Sequence, residues 1–274
     1  MTNKSKIKVY LYRVGIDTTY GGIVSPFFSN GLGYVFIPLL SKIRKKTNYA
    51  IPYFEVKTNN KRINLMNWLP CDHLKRPRSG KYPVKNAFAH NDPEFETITF
   101  GHYKWFNHIK ELKLDWEKNK YKDNRYFLFF YAGFYETNPE DYYCNYTLKD
   151  LSKKFKKRLQ YRIYAYMELK YPPIYSSNYK KYEREIRKNP HYLSGDIGEE
   201  GQHIFVGKRG GWLKGKIRID DNFKIIKSNY QINPEFKKFL EKRYEKRKSL
   251  NKLYVELKPN FINYVEEKEG IKLI

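Results

Sequence analysis

Seven consecutive residues, His90-Asn91-Asp92-Pro93-Glu94-Phe95-Glu96, set one imidazole among three carboxylates. A carboxylate and an imidazole held close shift each other's pKa, and together they can move a proton or hold a divalent cation. In an extended chain Asp92, Glu94 and Glu96 would share one side. Pro93 instead favours a turn, in which the acids would cap the next element; both readings stay open. Asp17 is a second candidate. It lies between Gly15 and Gly21-Gly22, where a backbone can approach a ligand and a carboxylate can accept hydrogen bonds from a sugar or a base edge, with a local Asx turn as the alternative. Asp17, His90, Asp92 and Glu94 are therefore the candidate catalytic residues. Ser25 before Pro26 has neither a G-x-S-x-G elbow nor an assignable base.

Gly210 to Lys216 matches G-x-x-x-x-G-K, but Ile217 stands where a P-loop needs Ser or Thr for magnesium, and the residues after Lys216 read as a strand. An ATP site is not expected. Lys208, Arg209, Lys214 and Lys216 around those glycines read either as a phosphate-contacting turn or as a solvated hairpin. Lys75, Arg76 and Arg78 form a second basic loop with the same two readings, and Arg13 borders the Asp17 loop. Cys71 and Cys144 have no zinc spacing and are too few for a disulfide framework. No metal or cofactor is assignable.

The charge balance supplies the setting. Lys and Arg number 54 against 29 Asp and Glu, a net charge of +25, with a pI near 9.7 and a mean hydropathy of −0.81. Such a field concentrates phosphate-bearing partners. The alternative is a heat-adapted, Lys-, Ile- and Tyr-rich composition, although such surfaces usually balance Lys with Glu. No apolar run approaches a membrane span and the first residues do not read as a signal peptide, so a cytoplasmic protein without membrane contact is expected.

The elements that must position these residues can be read from periodicity. Residues 7–14 alternate as a strand, and Tyr34 to Pro38 reads as another. Trp105 to Leu114 has the spacing of an amphipathic helix. Tyr126 to Phe134 is a continuous aromatic run, as expected of a strand covered on both faces at the centre of a sheet, and Tyr161 to Leu169 is a second such strand. Lys149 to Lys157 reads as a helix or a basic excursion, and Asn178 to Arg187 as helical. His203 to Gly207 and Lys216 to Ile219 look like strands about a glycine-rich turn. From Pro234 the chain turns basic, and Phe236 to Leu250 reads as a helix. Two units are expected: a globular core over 1–232 and a basic helical C-terminal appendage over 233–274. The 27 tyrosines and 18 phenylalanines are mostly core; Tyr131, Phe134 and Trp212, flanked by turns, are the better candidates for stacking on a base.

On the Arg13 to Thr18 loop, the Gly22 to Phe28 segment, His90 to Glu96 and Phe129 to Gly133, the chain resembles the nucleotide modification associated domain 3 family over roughly its first 220 residues. The resemblance implies a base-modification or genome-defence setting without assigning a reaction. One departure is His102 after Gly101, where the family pattern has an acid. The order of elements also resembles PUA- and EVE-like barrels, a fold-level analogy; folds of that kind often hold an extruded base in an aromatic pocket. The expected fold is α+β, a mixed aromatic-rich sheet or partial barrel with peripheral helices. The expected function is binding of a nucleotide or nucleic acid, DNA or RNA, with a base received in a cleft of Asp17, His90, Asp92 and aromatic side chains. The basic residues named above, with Tyr131 and Trp212, would contact the nucleic acid. The alternative is an enzyme on nucleotides or bases, a transferase, glycosylase or nuclease, using the His90 to Glu96 cluster. A scaffold whose charge serves only solubility is the third reading.

Overall fold

The computed structural model describes residues 6–14, 23–28, 30, 32–40, 51–52, 55, 64–72, 77–78, 82–83, 88–91, 93–102, 107–119, 124–193, 203–226, 229–244 and 254–274. In chain order the first strands are β1 (Ile7–Arg13), β2 (Ser25–Phe28) and β3 (Gly33–Tyr34). Short pieces come next: β4 (Leu39–Leu40), β5 (Ile51–Pro52), β6 (Pro77–Arg78), β7 (Tyr82–Pro83) and β8 (Phe88–His90). The middle of the chain gives β9 (Thr99–His102), α1 (Asn107–Lys118), β10 (Arg125–Thr137), α2 (Leu148–Phe155), β11 (Leu159–Leu169), β12 (Ile174–Tyr175), α3 (Glu183–Ile186) and α4 (Pro190–Leu193). The last elements are β13 (His203–Trp212), β14 (Asp220–Ile226), β15 (Asn229–Ile232), α5 (Pro234–Lys237), β16 (Tyr254–Leu257) and α6 (Phe261–Glu269).

β10 organises the fold. Its run from Tyr126 to Tyr135 offers no charged side chain to solvent, so it is stable only when both faces are covered. β1 lies parallel to its first half, Ile7 opposite Arg125 through Arg13 opposite Tyr131. β2 lies parallel to its last residues, Ser25 opposite Phe134. β1 and β2 therefore run along one edge of the same strand in line. The other edge pairs with antiparallel β11, with a bulge at Phe130/Tyr131. The path β12-β13-β11-β10-β1-β16, with β2, β3 and β9 beside it, forms a mixed 9-stranded sheet that is open rather than closed into a barrel. With α1 to α6 around it, the fold is α+β.

Strand alternation sorts the core into two layers. Val9, Leu11, Phe127, Phe129, Tyr131 and Ile163 face one side, beneath Phe261, Ile262 and Val265 of α6. Tyr10, Tyr12, Leu128, Phe130, Phe134 and Tyr164 face the other, where Ile109 and Leu112 of α1 cover one end. Each buried phenylalanine contributes about 1.5–3 kcal/mol of transfer free energy, so these two rows hold the sheet between its layers. No helix among the described residues is long and apolar enough to cross a membrane.

Several expected elements come out differently. Of the helix expected over Phe236 to Leu250, residues 245–250 lie outside the described residues, and the described part holds only the end of the four-residue α5 and a 3-10 turn at Lys242–Tyr244. The described residues of the segment 233–274, expected as a helical appendage, join the main sheet and its core. They contribute β16, which pairs antiparallel with β1, and bury Phe236, Phe239, Phe261 and Leu273 under the sheet. Tyr34 to Pro38 continues beside β2 with only Gly33–Tyr34 in regular pairing, since Ile37 N–H donates to the Ser25 hydroxyl at 2.9 Å instead of to a strand. The helix expected over Trp105 to Leu114 is present as α1 over Asn107–Lys118, with Trp105 and Phe106 outside the described residues. The strand expected over His203 to Gly207 runs on to Trp212 as the ten-residue β13, paired with β11; the glycine turn is confined to the neighbourhood of Gly215, at φ +72°, and the strand expected over Lys216 to Ile219 is an isolated bridge at Arg218.

Candidate functional site

The His90 to Glu96 motif splits between two elements. His90 ends β8, opposite Leu39 of β4. Glu94 opens a tight turn that closes at Thr99: Glu94 N–H donates to Thr99 O at 2.8 Å and Thr99 N–H returns to Glu94 O at 2.9 Å. Glu94 is only 5% exposed, and within the turn its carboxylate accepts from Glu96 N–H at 3.0 Å. Pro93 thus sets a turn, as its ring predicts, and one of its acids serves the turn's backbone.

That turn is pressed onto β13. Ile98 sits at φ +49°, a conformation that costs a β-branched residue about 1–3 kcal/mol and persists only when its surroundings enforce it. Gly207 N–H donates to Ile98 O at 2.7 Å, and Asn189 Nδ2 donates to Thr99 Oγ1 at 2.8 Å. The β13 glycines make the approach possible. A Cβ on Gly207 would stand 2.5 Å from Ile98 Cγ2, and one on Gly210 2.8 Å from Tyr166 O and 3.2 Å from Phe95 Cε1. These glycines are a landing surface for the turn, not a phosphate loop.

The docked turn completes an aromatic platform. The half-buried Phe95 and Trp212 rings meet edge to face at 5.0 Å. Trp212 also packs on Phe36 at 4.9 Å and on Tyr164 at 5.9 Å, and Phe36 stacks on Tyr164 at 5.2 Å. Tyr34 anchors the platform from below: its hydroxyl is shared between Tyr164 O and Leu213 O, both at 2.9 Å. Burial, and less so the Glu269 carboxylate, pushes the Tyr34 phenol well above its usual value, so it remains a donor.

The basic residues beyond β13 surround an anion that the chain provides itself. Glu269, at the end of α6, is fully buried; its Oε2 accepts from Lys214 N–H at 2.6 Å and its Oε1 from Lys216 N–H at 2.9 Å. The backbone donors of the Gly215 turn are thereby used, while the Lys214 and Lys216 side chains are exposed, as is Lys208. Arg209 turns to the opposite face, where its Nε donates to Glu168 at 2.6 Å.

A family model for nucleotide modification associated domain 3 matches residues 8–271. The chain belongs to that family. The match runs past residue 220 through the C-terminal segment, as expected of a segment that supplies a strand to the main sheet. No curated protein and no solved structure matches the chain.

Within this nucleotide modification associated domain only some of the remaining candidates are described. Asp17, Asp92, Lys75 and Arg76 lie outside the described residues, and for His90 and Arg78 only the backbone strands are described. Arg13 Nη2 donates to the Tyr161 hydroxyl at 3.1 Å. Tyr131 is 1% exposed in the α6-side core. It is walled off because its alternation matches Phe127 and Phe129, and its ring meets Tyr161 rather than solvent. Glu94 and Trp212 are brought into one neighbourhood through Phe95. Phe95 carries no signal of its own between charged neighbours, and Phe36 and Tyr164 have the signal of ordinary core strands. Among the described residues no group of His, Cys, Asp and Glu could hold a metal ion.

Proposed function

We propose that the protein binds a nucleotide or nucleic acid within a base-modification system, receiving a base on the platform of Trp212 and Phe95, which buried Phe36 supports from beneath. The observation that carries this reading is the half-buried Phe95–Trp212 pair held by a strained, glycine-seated turn. A rigid aromatic surface is what base stacking uses, at about 1–3 kcal/mol per base. The net charge of +25, with exposed Lys208, Lys214 and Lys216 near Trp212 in sequence, supports phosphate contact. The family's association with nucleotide modification supports the same setting.

The test tracks Trp212 emission as nucleosides, nucleotides and short oligonucleotides are added across a salt series, with Trp212→Phe and Trp212→Ala in parallel. The fluorescence change in the wild type is expected to vanish in both variants. The affinity should survive in Trp212→Phe and fall in Trp212→Ala by about 1–3 kcal/mol. Oligonucleotide affinity should drop with salt. An unchanged wild-type spectrum with every ligand, and no binding by calorimetry, would remove the proposal.

A further inference from the structure

One cation on the platform's face forms no ion pair among the described residues. The Arg162 guanidinium lies 3.7 Å above the ring centre of Phe27. Its Nε donates to Gln160 Oε1 at 2.9 Å and its Nη1 to Gly215 O at 2.8 Å. Both acceptors are neutral. A guanidinium has five N–H donors, and among the described residues no other hydrogen bond and no carboxylate within 4.0 Å engages this one. The nearby acids are committed elsewhere: Glu136 Oε2 accepts from Gln160 Nε2 at 2.5 Å, and Asp220 Oδ1 takes Arg218 Nε at 3.0 Å and Tyr161 N–H at 2.9 Å. Burial first, and then the adjacent Arg218 guanidinium, lowers Arg162 to about 10, against the weaker opposing fields of the Asp220, Glu136 and Glu269 carboxylates. A half-buried guanidinium beside a second one, with donors to spare, is the setting in which an oxyanion is bound rather than repelled.

Arg162 is also placed for the platform. It precedes Tyr164 by two residues on β11 and so shares its face at a spacing of about 7 Å, and Tyr164 touches Trp212. Arg162 and the platform therefore lie on one face of the sheet, linked through Tyr164. We propose that Arg162, with Arg218 beside it, is the phosphate subsite for the nucleotide whose base rests on Trp212; this deepens the binding reading above and rests on it. The recognised group is a phosphate oxyanion, either the terminal phosphate of a nucleotide or an internal phosphodiester of a nucleic acid.

Thermal unfolding and calorimetry on the full chain, at matched ionic strength, test it. Inorganic phosphate should raise the melting temperature of the wild type above that in chloride, and should not do so for Arg162→Gln. A nucleoside 5′-monophosphate should bind the wild type at least about tenfold more tightly than its nucleoside, which is about 1.4 kcal/mol, and Arg162→Gln should abolish that preference while leaving the nucleoside affinity in place. Oligonucleotides with and without a terminal phosphate separate the sources: sensitivity to Arg162→Gln in both assigns an internal phosphodiester, and sensitivity only in the phosphorylated one assigns a terminal phosphate. Should Arg162→Gln fail to fold, Arg162→Lys keeps the charge but loses the fork and should still weaken the preference. Equal phosphate effects in wild type and variant, or none in the wild type, overturn the subsite. Nucleoside binding without phosphate preference would sink the subsite and keep the platform; a phosphate effect tied to Arg162 with no nucleoside binding would do the reverse.

Discussion

The two ends of β11 solve the same electrostatic problem in opposite ways. Near its C-terminal end Glu168, 3% exposed, accepts Arg125 Nε at 2.8 Å and Nη2 at 3.1 Å, and Arg209 Nε at 2.6 Å. The two arginines further share the Leu273 carbonyl. Every strong group there has a protein partner, and the cluster ties β10, β11 and β13 to the C-terminal segment. Near its N-terminal end Arg162 has two neutral acceptors, an aromatic ring and a like-charged neighbour. The contrast separates an arginine used to build the fold from one the fold supports without satisfying. Charge count alone makes no such distinction.

The sharpest way to break the comparison is Glu168→Ala, which strands two arginines. Removing one partner of a buried pair costs about 3–5 kcal/mol, and the lower figure is expected because the Arg125 and Arg209 side chains are 31% and 40% exposed. Arg162→Gln, at the other end, should lose only about 1 kcal/mol, the scale of a single hydrogen bond. Urea unfolding of both variants measures the ratio, and equal losses would erase the distinction. Between these sits the glycine seat of the platform. Gly207→Ala would force its Cβ to 2.5 Å from Ile98 and 2.6 Å from Met167, an overpacking that costs about 1–3 kcal/mol, and should weaken the ligand response of Trp212 by displacing the turn. Gly211→Ala meets only the Tyr166 ring at 3.9 Å and should change neither.

The sheet was largely legible because it obeys local pattern. An uninterrupted aromatic run from Tyr126 has no stable state other than a doubly covered strand, and the alternation of residues 7–14 marks its neighbour. The elements that failed depend on contacts distant in sequence. Gly210 and Gly211 look like part of a turn until Ile98 and Phe95 are known to land on Gly207 and Gly210, and no local signal announces that docking. The described part of the segment after Phe236 is only partly helical, and basic residues at helical spacing say nothing of β1, whose open edge recruits Tyr254 to Leu257 as a strand. In the candidate site, Trp212 and the Glu94 turn were visible as residue types, whereas Tyr131 reads as a stacking residue only because its flanking turn residues hide the strand that buries it. Arg162 carried no sequence signal: one arginine in an aromatic strand acquires meaning only when its neighbours prove neutral.

The smallest effects concern pH, and they divide the carboxylates by sign. Burial raises Glu168, but the hydrogen bonds from Arg125 and Arg209 outweigh it and hold its pKa below 4.5. Its stabilisation is therefore complete above pH 4.5 and lost as pH falls through the lower folded value. The gap between wild type and Glu168→Ala should narrow there. Glu269 is the opposite case: burial raises it, against the N–H groups of Lys214 and Lys216. A raised acid binds its proton more tightly in the folded state, so its contribution grows as pH falls from neutrality through the folded value towards 4.5. Glu269→Gln removes that titration and presents an amide NH2 to one of two backbone donors. At pH 7 it should cost about 1–2 kcal/mol despite deleting a buried charge, and the gap to wild type should widen on mild acidification. Urea midpoints from pH 8 to 4 decide the matter: a gap that narrows in step with that of Glu168→Ala would mean that the Gly215 turn holds its carboxylate as an ordinary ion pair, and not as a buried anion filling a nest of backbone donors.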